Sequence, residues 1–289
     1  MDLYASGRGV ERQVAERDIV LTYVLKMMDE DGIINDLAFK GGTCIRKIYL
    51  GSIGRFSEDL DFTLIGYDLD NFRSSFNNFI NKPNKYGLAL SVQDERAKWG
   101  KSFACEIEYT HDWNDSSFKF EVSLREDPIL GLKSGIIKDE VYFNYIGFRP
   151  FSIPCMCLEE VLSEKIRAAY QRGTPRDFYD LYQFAKRPYD RDIVKQLVVL
   201  KFWNDKSHYD PEKFIEKIEI AEIDFSEVQY LLKDRIHPTE TEIKSRILSN
   251  YDYLIKLEEN LQMIRQDTRK HKLGKEVTQL IKKIRTKYD

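Results

Sequence analysis

The 289-residue sequence has few cysteines, few histidines and no long apolar run, and each shortage closes off a class of protein. Its four cysteines, Cys44, Cys105, Cys155 and Cys157, include no C-x-x-C pair, and its four histidines form neither H-x-x-x-H nor H-x-H. A zinc site and a disulfide scaffold are therefore not expected, and reduced thiols in a cytoplasmic protein are the simplest reading. No stretch approaches the roughly 20 apolar residues that cross a bilayer, and the N-terminus lacks the apolar core of a signal peptide. No membrane association is expected. Formal net charge is only −3, so the overall field names no partner. Internal repeats and low-complexity tracts are absent as well. One local bias stands out against this background: residues 261–289 carry nine Lys/Arg against three acids. Such a stretch suits a polyanion, or it is simply a solvated helix face.

What is present divides the chain in two. Residues 11–29 place Val14, Val20, Leu21, Val24, Leu25 and Met28 at helical spacing, and Asp31-Gly32 ends the pattern. Leu37–Phe39 reads as a short buried strand, Thr43–Tyr49 as a short helix, 59–64 as a strand and 68–80 as a helix. Residues 87–94, 102–110 and 116–124 alternate as strands do and are separated by turn residues, which predicts an antiparallel meander. Beyond Pro150–Pro154 the patterns are helical: 158–172, 175–186, 190–203, 211–220, 224–234, 239–267 and 274–287. The expected architecture is α+β over residues 1–155 and all-helical over 156–289.

The first cluster of chemistry runs from Lys40 to Asp61. Alternation along a strand turns Asp59 and Asp61 to one face and Leu60 and Phe62 to the core. Neighbouring carboxylates repel unless a hard divalent cation lies between them, and Mg²⁺ prefers such oxygen ligands. A polar strand face that merely meets water gives the same spacing. Gly41-Gly42-Thr43 lies between a predicted strand and a predicted helix. Glycines admit close approach of a ligand to the backbone, and a helix start offers N–H groups to phosphate. Thr43 is expected either to cap that helix or to bond a phosphate oxygen. Lys40, Arg55 and Ser57 flank the turn and the acids, and complete the candidate nucleotide-binding set. Gly51-Ser52 is a rival glycine element, but it falls in a loop. For a third acid, Glu121 shares a strand face with Lys119 while Phe118, Phe120 and Val122 take the other; Glu106 and Glu108 compete with it.

The second cluster reads Leu158-Glu159-Glu160, then Glu164-Lys165-Ile166-Arg167-Ala168, then Arg172-Gly173-Thr174-Pro175-Arg176-Asp177, with Asp180 three residues further on. Gly173 suits the position past a helix end, Thr174 an N-cap and Pro175 the first helical turn. Two helices therefore meet at a corner that draws Lys165, Asp177 and Asp180 together. On the residues alone, a salt-bridged corner with Arg176 and Asp177 as capping charges is the better explanation of the pattern.

KGGT…RFSEDLDF resembles the first motif of the AbiEii/MenT-type family, toxins of type IV toxin–antitoxin and abortive-infection systems. EExxxEKxRA…RGxPRDxxDL resembles that family's second block. The resemblance covers residues 35–185. It implies a nucleotidyltransferase-like mixed sheet with flanking helices and a Mg²⁺-dependent transfer of a nucleotidyl group from an NTP. The acceptor it implies is RNA, a tRNA 3′ end. It further implies a cognate antitoxin, Asp59, Asp61 and Glu121 as metal ligands, and Lys165 and Asp177 as catalytic groups supported by Arg176 and Asp180. In the family an Asp is more usual where Glu121 stands, and fifteen residues between Thr43 and Asp59 exceed the spacing of many relatives. Rival readings on the same fold are nucleotidylation of a protein or small molecule, a metal-dependent nuclease, and a non-catalytic interaction protein.

Overall fold

The strands form, in the computed structural model, a seven-stranded mixed sheet, with aromatic and polar residues alternating most clearly along β5. The structure describes every residue except 67, 99, 225, 233–237 and 289. The chain forms two compact units. The first contains Met1–Pro128, Leu132–Met156 and a short segment beginning at Leu231; the second contains Ile129–Gly131, Cys157–Tyr230 and the described residues beyond 237.

In chain order the first unit holds helices α1 (Asp2–Arg8) and α2 (Arg12–Asp31), then β1 (Leu37–Lys40) and α3 (Gly41–Cys44), which continues as a π-helical turn over Ile45–Leu50. These are followed by β2 (Leu60–Leu64), α4 (Leu69–Ile80), β3 (Ala89–Lys98), β4 (Ser102–His111), β5 (Asn114–Ser123), β6 (Leu132–Ile136), α5 (Phe143–Ile146) and β7 (Ser152–Met156). The sheet order is β3-β4-β5-β2-β1-β7-β6. Strands β2 and β5 run parallel, as do β1 and β7; the other neighbours are antiparallel. The β3–β4–β5 meander is the one expected from alternation. Strands β6 and β7 were not expected, and α1 adds a short helix before the predicted one.

One face of the sheet is an aromatic core. Phe39, Phe62 and Phe120 follow one another across β1, β2 and β5 with ring centroids 5.2 and 5.3 Å apart. Helix α4 covers them, with Phe76 stacked 4.9 Å from Phe120 and Phe72 edge-on to Phe103. Offset and edge-on rings at such spacings add to the burial itself. Asp68 opens α4 by accepting the Asn71 amide at 3.0 Å, as an N-cap does.

The first unit also buries a charged network that the sequence did not announce. Asp18 accepts from Arg46 Nε at 2.9 Å, pairs with Lys47 Nζ at 2.8 Å and accepts from the Tyr4 hydroxyl at 2.8 Å. Arg46 also bonds Glu140 at 3.2 Å and lies 3.8 Å over the Phe56 ring. Burial by itself would raise the Asp18 carboxyl, but Arg46 and Lys47 reverse that and hold it well below the usual carboxylate range. The same burial depresses the Lys47 ammonium.

The second unit is helical: α6 (Leu158–Gln171), α7 (Pro175–Phe184), α8 (Arg191–Asn204), α9 (Pro211–Ile220), α10 (Ser226–Gln229), α11 (Glu240–Tyr251), α12 (Glu259–Gln266) and α13 (Gly274–Tyr288). Its centre is a fully buried pair, Glu160 with Lys201 at 2.6 Å. Glu160 also accepts the Ile129 and Leu130 amides at 2.7 and 2.9 Å, which explains why that three-residue segment belongs with the helices. The helix predicted over 239–267 is broken after Leu254, and Lys195 donates to the Lys256 carbonyl at 3.4 Å and to Glu258 at 2.6 Å across the break. Of the helix predicted over 224–234, Ser226–Gln229 forms; its residues 225, 233 and 234 lie outside the described residues. No helix among the described residues is long and apolar enough to cross a membrane, and the four cysteines are free and buried.

Candidate active site

The second face of the sheet carries the polar residues, because the phase of each strand is fixed by the aromatic side. The register sets Lys40 of β1 opposite Asp61 of β2, and Asp61 opposite Glu121 of β5. Asp59 precedes β2 by one residue and lies two positions before Asp61. Glu121, then Asp61 and Asp59, raise the ammonium of Lys119 on β5 against the pull of burial, so both aspartates act on that lysine. Both aspartates are half-buried.

The glycine turn is built against these acids. Gly41 has φ +74°, and a Cβ placed there would stand 2.1 Å from Asp61 Oδ2 and 2.7 Å from its Cβ. Only glycine allows that approach. A Cβ on Gly42 would meet Ser57 Oγ at 2.7 Å and an Arg55 guanidinium nitrogen at 2.8 Å. Arg55 and Ser57 are buried, and Arg55 donates to the Phe56 carbonyl at 3.0 Å. The Phe56 amide in turn bonds the Leu231 carbonyl at 2.7 Å. Lys40, Gly41, Gly42, Arg55, Ser57, Asp59 and Asp61 are therefore one local assembly.

Thr43 departs from expectation. The helix starts at Gly41, with Lys40 at its N-cap, two residues earlier than predicted. Thr43 is consequently inside the helix and buried, and its hydroxyl donates to the Asp59 carbonyl. It anchors the acid-bearing segment and neither caps the helix nor faces outward.

The expected trio of metal ligands is Asp59, Asp61 and Glu121, and the register brings Glu121 across from Asp61. Among the described residues no three His, Cys, Asp or Glu side chains converge to hold a metal ion. Lys119 Nζ donates to Glu121 Oε2 at 2.6 Å. Glu106 accepts from Ser117, and Glu108 from Ser91 at 3.2 Å and Gln93 at 3.3 Å. The site offers the Asp59 and Asp61 carboxylates, with Glu121 across the register from Asp61. That donor set fits Mg²⁺, which usually takes one or two carboxylates and completes its shell with water and phosphate oxygens.

In the helical unit the second cluster forms as a tight ionic knot. Lys165 Nζ lies 3.2 Å from Asp177 Oδ1 and 2.9 Å from Asp180 Oδ2. Arg172 donates twice to Asp177, at 2.7 and 3.0 Å, and the Thr174 hydroxyl donates to Oδ2 at 2.8 Å. Gly173 takes φ +64° at the corner and Pro175 opens α7. Thr174 occupies the N-cap position, yet its hydroxyl serves Asp177 and not a backbone amide. Burial pushes the Asp177 carboxyl up; the Arg172 hydrogen bonds and the Lys165 charge outweigh it and hold the group well below the usual range. Both Asp177 oxygens are thus engaged by donors, so the geometry favours holding Lys165 in place over acting as a base. Arg176 donates to the Tyr230 hydroxyl at 2.6 Å. Of the C-terminal basic residues, Arg285 donates to the Ile129 carbonyl at 2.6 Å and Lys287 pairs with Asp190 at 2.8 Å, so part of that charge is structural.

The family model described as nucleotidyl transferase AbiEii toxin, type IV TA system, matches residues 24–245. Among solved structures, MenT4, nucleotidyltransferase toxin Rv2826c from Mycobacterium tuberculosis H37Rv, is similar at 23% identity with a TM-score of 0.81, covering 98% of this chain and 97% of that one. JHP933 from Helicobacter pylori is similar at 17% identity with a TM-score of 0.52, covering 93% of this chain and 99% of that one. At these identities the structural likeness speaks to the fold. No curated protein sequence matches the chain.

Proposed function

The chain belongs to the AbiEii family of nucleotidyltransferase toxins of type IV toxin–antitoxin systems, and on that premise we propose that it moves a nucleotidyl group from an NTP to the 3′ end of a tRNA, with Mg²⁺, in the cytoplasm. The family implies an NTP substrate and a cognate antitoxin. The observation that carries the reading is the contact of Gly41 with Asp61, which sets the glycine turn directly against the carboxylate-bearing strand.

In the proposed reaction Asp59 and Asp61 would hold Mg²⁺, which when bound would supply positive charge against the triphosphate. The remaining work falls to the chain. Gly41 and Gly42 let phosphate oxygens approach the backbone at the start of α3. Lys40 and Arg55, on either side of that turn, balance phosphate charge, and Ser57 supplies a hydroxyl beside Gly42. Thr43 fixes the height of Asp59 through its carbonyl. Lys165 and Asp177, with Arg176 and Asp180 in support, are required for transfer as the family resemblance implies. Asp177 acts there by fixing Lys165.

The test is incubation of the purified chain with each labelled NTP in turn, Mg²⁺ and total RNA. Label is expected on tRNA-sized RNA that has lengthened, and it disappears with chelator or with the double variant Asp59→Ala/Asp61→Ala. Label on protein would overturn the acceptor; shortened RNA would indicate a nuclease. Full growth inhibition by the double variant would overturn the enzyme reading altogether.

A further inference from the structure

A lysine stands in the middle of the acid face, and the reaction described above gives it no role. Lys119 sits on β5 between Phe118 and Phe120, both buried on the aromatic side. Those two rings fix the phase of the strand, so Lys119 and Glu121 are both held on the face that bears Asp59 and Asp61. Its Nζ bonds Glu121 Oε2 at 2.6 Å. The parallel register places Glu121 directly across from Asp61. On the other side, β4 sets Glu106 opposite Lys119, but Glu106 accepts from the Ser117 hydroxyl.

We propose that Lys119 is the built-in counter-cation of this face: its ammonium engages Glu121, so that a divalent cation is left to Asp59 and Asp61 alone. The inference rests on the reading that those two aspartates bind the metal. The physical argument is charge balance. Three carboxylates on one polar face attract cations more strongly than two, and a fixed ammonium cancels one of them. Lys119 is a positioning residue in this account. It sets how many carboxylates a metal meets, and through that the affinity and the number of ions bound.

The experiment measures Mn²⁺ binding to the full chain, without nucleotide, by calorimetry and by electron paramagnetic resonance. Wild type is expected to bind one ion. Lys119→Met exposes Glu121 as a third acid, so affinity rises about tenfold or more, or a second ion binds. Lys119→Arg keeps the charge and stays close to wild type. Glu121→Gln leaves the ammonium uncompensated beside the pair, so affinity falls severalfold. The double variant Lys119→Met/Glu121→Gln removes one charge of each sign and returns toward wild type. Both side chains are substantially exposed, at 54% and 37%, so these variants are expected to fold, and melting curves verify it. Asp59→Ala/Asp61→Ala separates the two layers of argument. If that variant binds Mn²⁺ as wild type does, the aspartate reading fails. If it loses binding while Lys119→Met stays within twofold of wild type with the same ion count, the Lys119 proposal alone is overturned.

Discussion

Gly41→Ala isolates the contact on which the candidate site depends. The added methyl would lie 2.1 Å from Asp61 Oδ2 and 2.7 Å from Asp61 Cβ and Cγ. Carbon contacts are comfortable at about 3.5–4.0 Å, so Asp61 or the turn must move by more than roughly 1 Å. Misplacement of about 1 Å in a reacting assembly lowers rates on the order of 100-fold. The backbone adds its own penalty, because φ is +74° there and an L-residue in the left-handed region costs about 1–2 kcal/mol. For a chain of this size that corresponds to a fall in Tm of roughly 2–8 °C. Gly147→Ala is the matched control: φ is +70° and nothing lies within 4 Å of the added carbon. It should lose similar stability and keep its activity. The assay is nucleotide transfer from labelled NTP together with thermal melting of both variants. If Gly41→Ala transfers at the wild-type rate, or if Gly147→Ala loses as much activity, the turn is not part of the reacting assembly.

Two further predictions concern the buried charges. Asp18→Ala removes the anion shared by Arg46, Lys47 and Tyr4, all in the interior; stranding buried cations costs about 3–5 kcal/mol, and chemical denaturation showing a loss under about 1 kcal/mol would contradict the network's role. Asp177→Asn tests a pH dependence. The Asp177 carboxyl is depressed in the folded chain, against the upward push of burial, by Arg172, Lys165 and Thr174. The unfolded chain therefore takes up the proton first, and the contribution is complete above the ordinary carboxylate value near ~3.9 and lost as pH falls toward the folded value. The stability gap between wild type and Asp177→Asn should be widest at neutral pH and should narrow on acidification below about pH 4; a gap that stays constant or widens rules the account out.

Alternation made the sheet legible where both faces carry meaning. Phe118, Phe120 and Val122 announced a core side, and Lys119 and Glu121 the opposite one, as observed. Asp59 and Asp61 were readable for the same reason. Glycine at 41 was readable as a type, but its cause, the approach of Asp61, comes from a strand twenty positions on. Strand β7 was not legible: it has five residues, contains Pro154, and pairs with β1 only through Phe39 and Cys155. A proline inside so short a run argues against a strand locally, and the pairing that overrides it is remote. The buried network had one overlooked signal. Asp18 falls on the stripe Val14, Leu21, Leu25 and Met28, four residues after Val14 and three before Leu21. A charge on the apolar stripe of a helix calls for a buried partner, and Arg46 and Lys47 supply it.

The two clusters that the motifs singled out differ in physical kind, and that difference decides how loss of function is to be read. Asp59 and Asp61 are half-buried on a polar face, and their backbone is held independently, through Thr43 at Asp59 and through the register with Lys40 at Asp61. Removing their carboxylates takes away the groups proposed to hold the metal while the strand keeps its place. Asp177 is fully buried, and both its oxygens are engaged by Lys165, Arg172 and Thr174. Truncating it leaves the buried Lys165 with Asp180 as its remaining close carboxylate and removes what fixes the corner before α7. Breaking a buried pair from one side is strongly destabilising. Inactivity of an Asp177 variant therefore carries no information about chemistry unless its melting temperature is preserved, whereas inactivity of Asp59 and Asp61 variants does. Lys165→Met keeps most of the side-chain volume and leaves Arg172 and Thr174 on Asp177, but it also withdraws the ammonium from the buried Asp180, so its inactivity too is informative about the reaction only where the melting temperature is preserved.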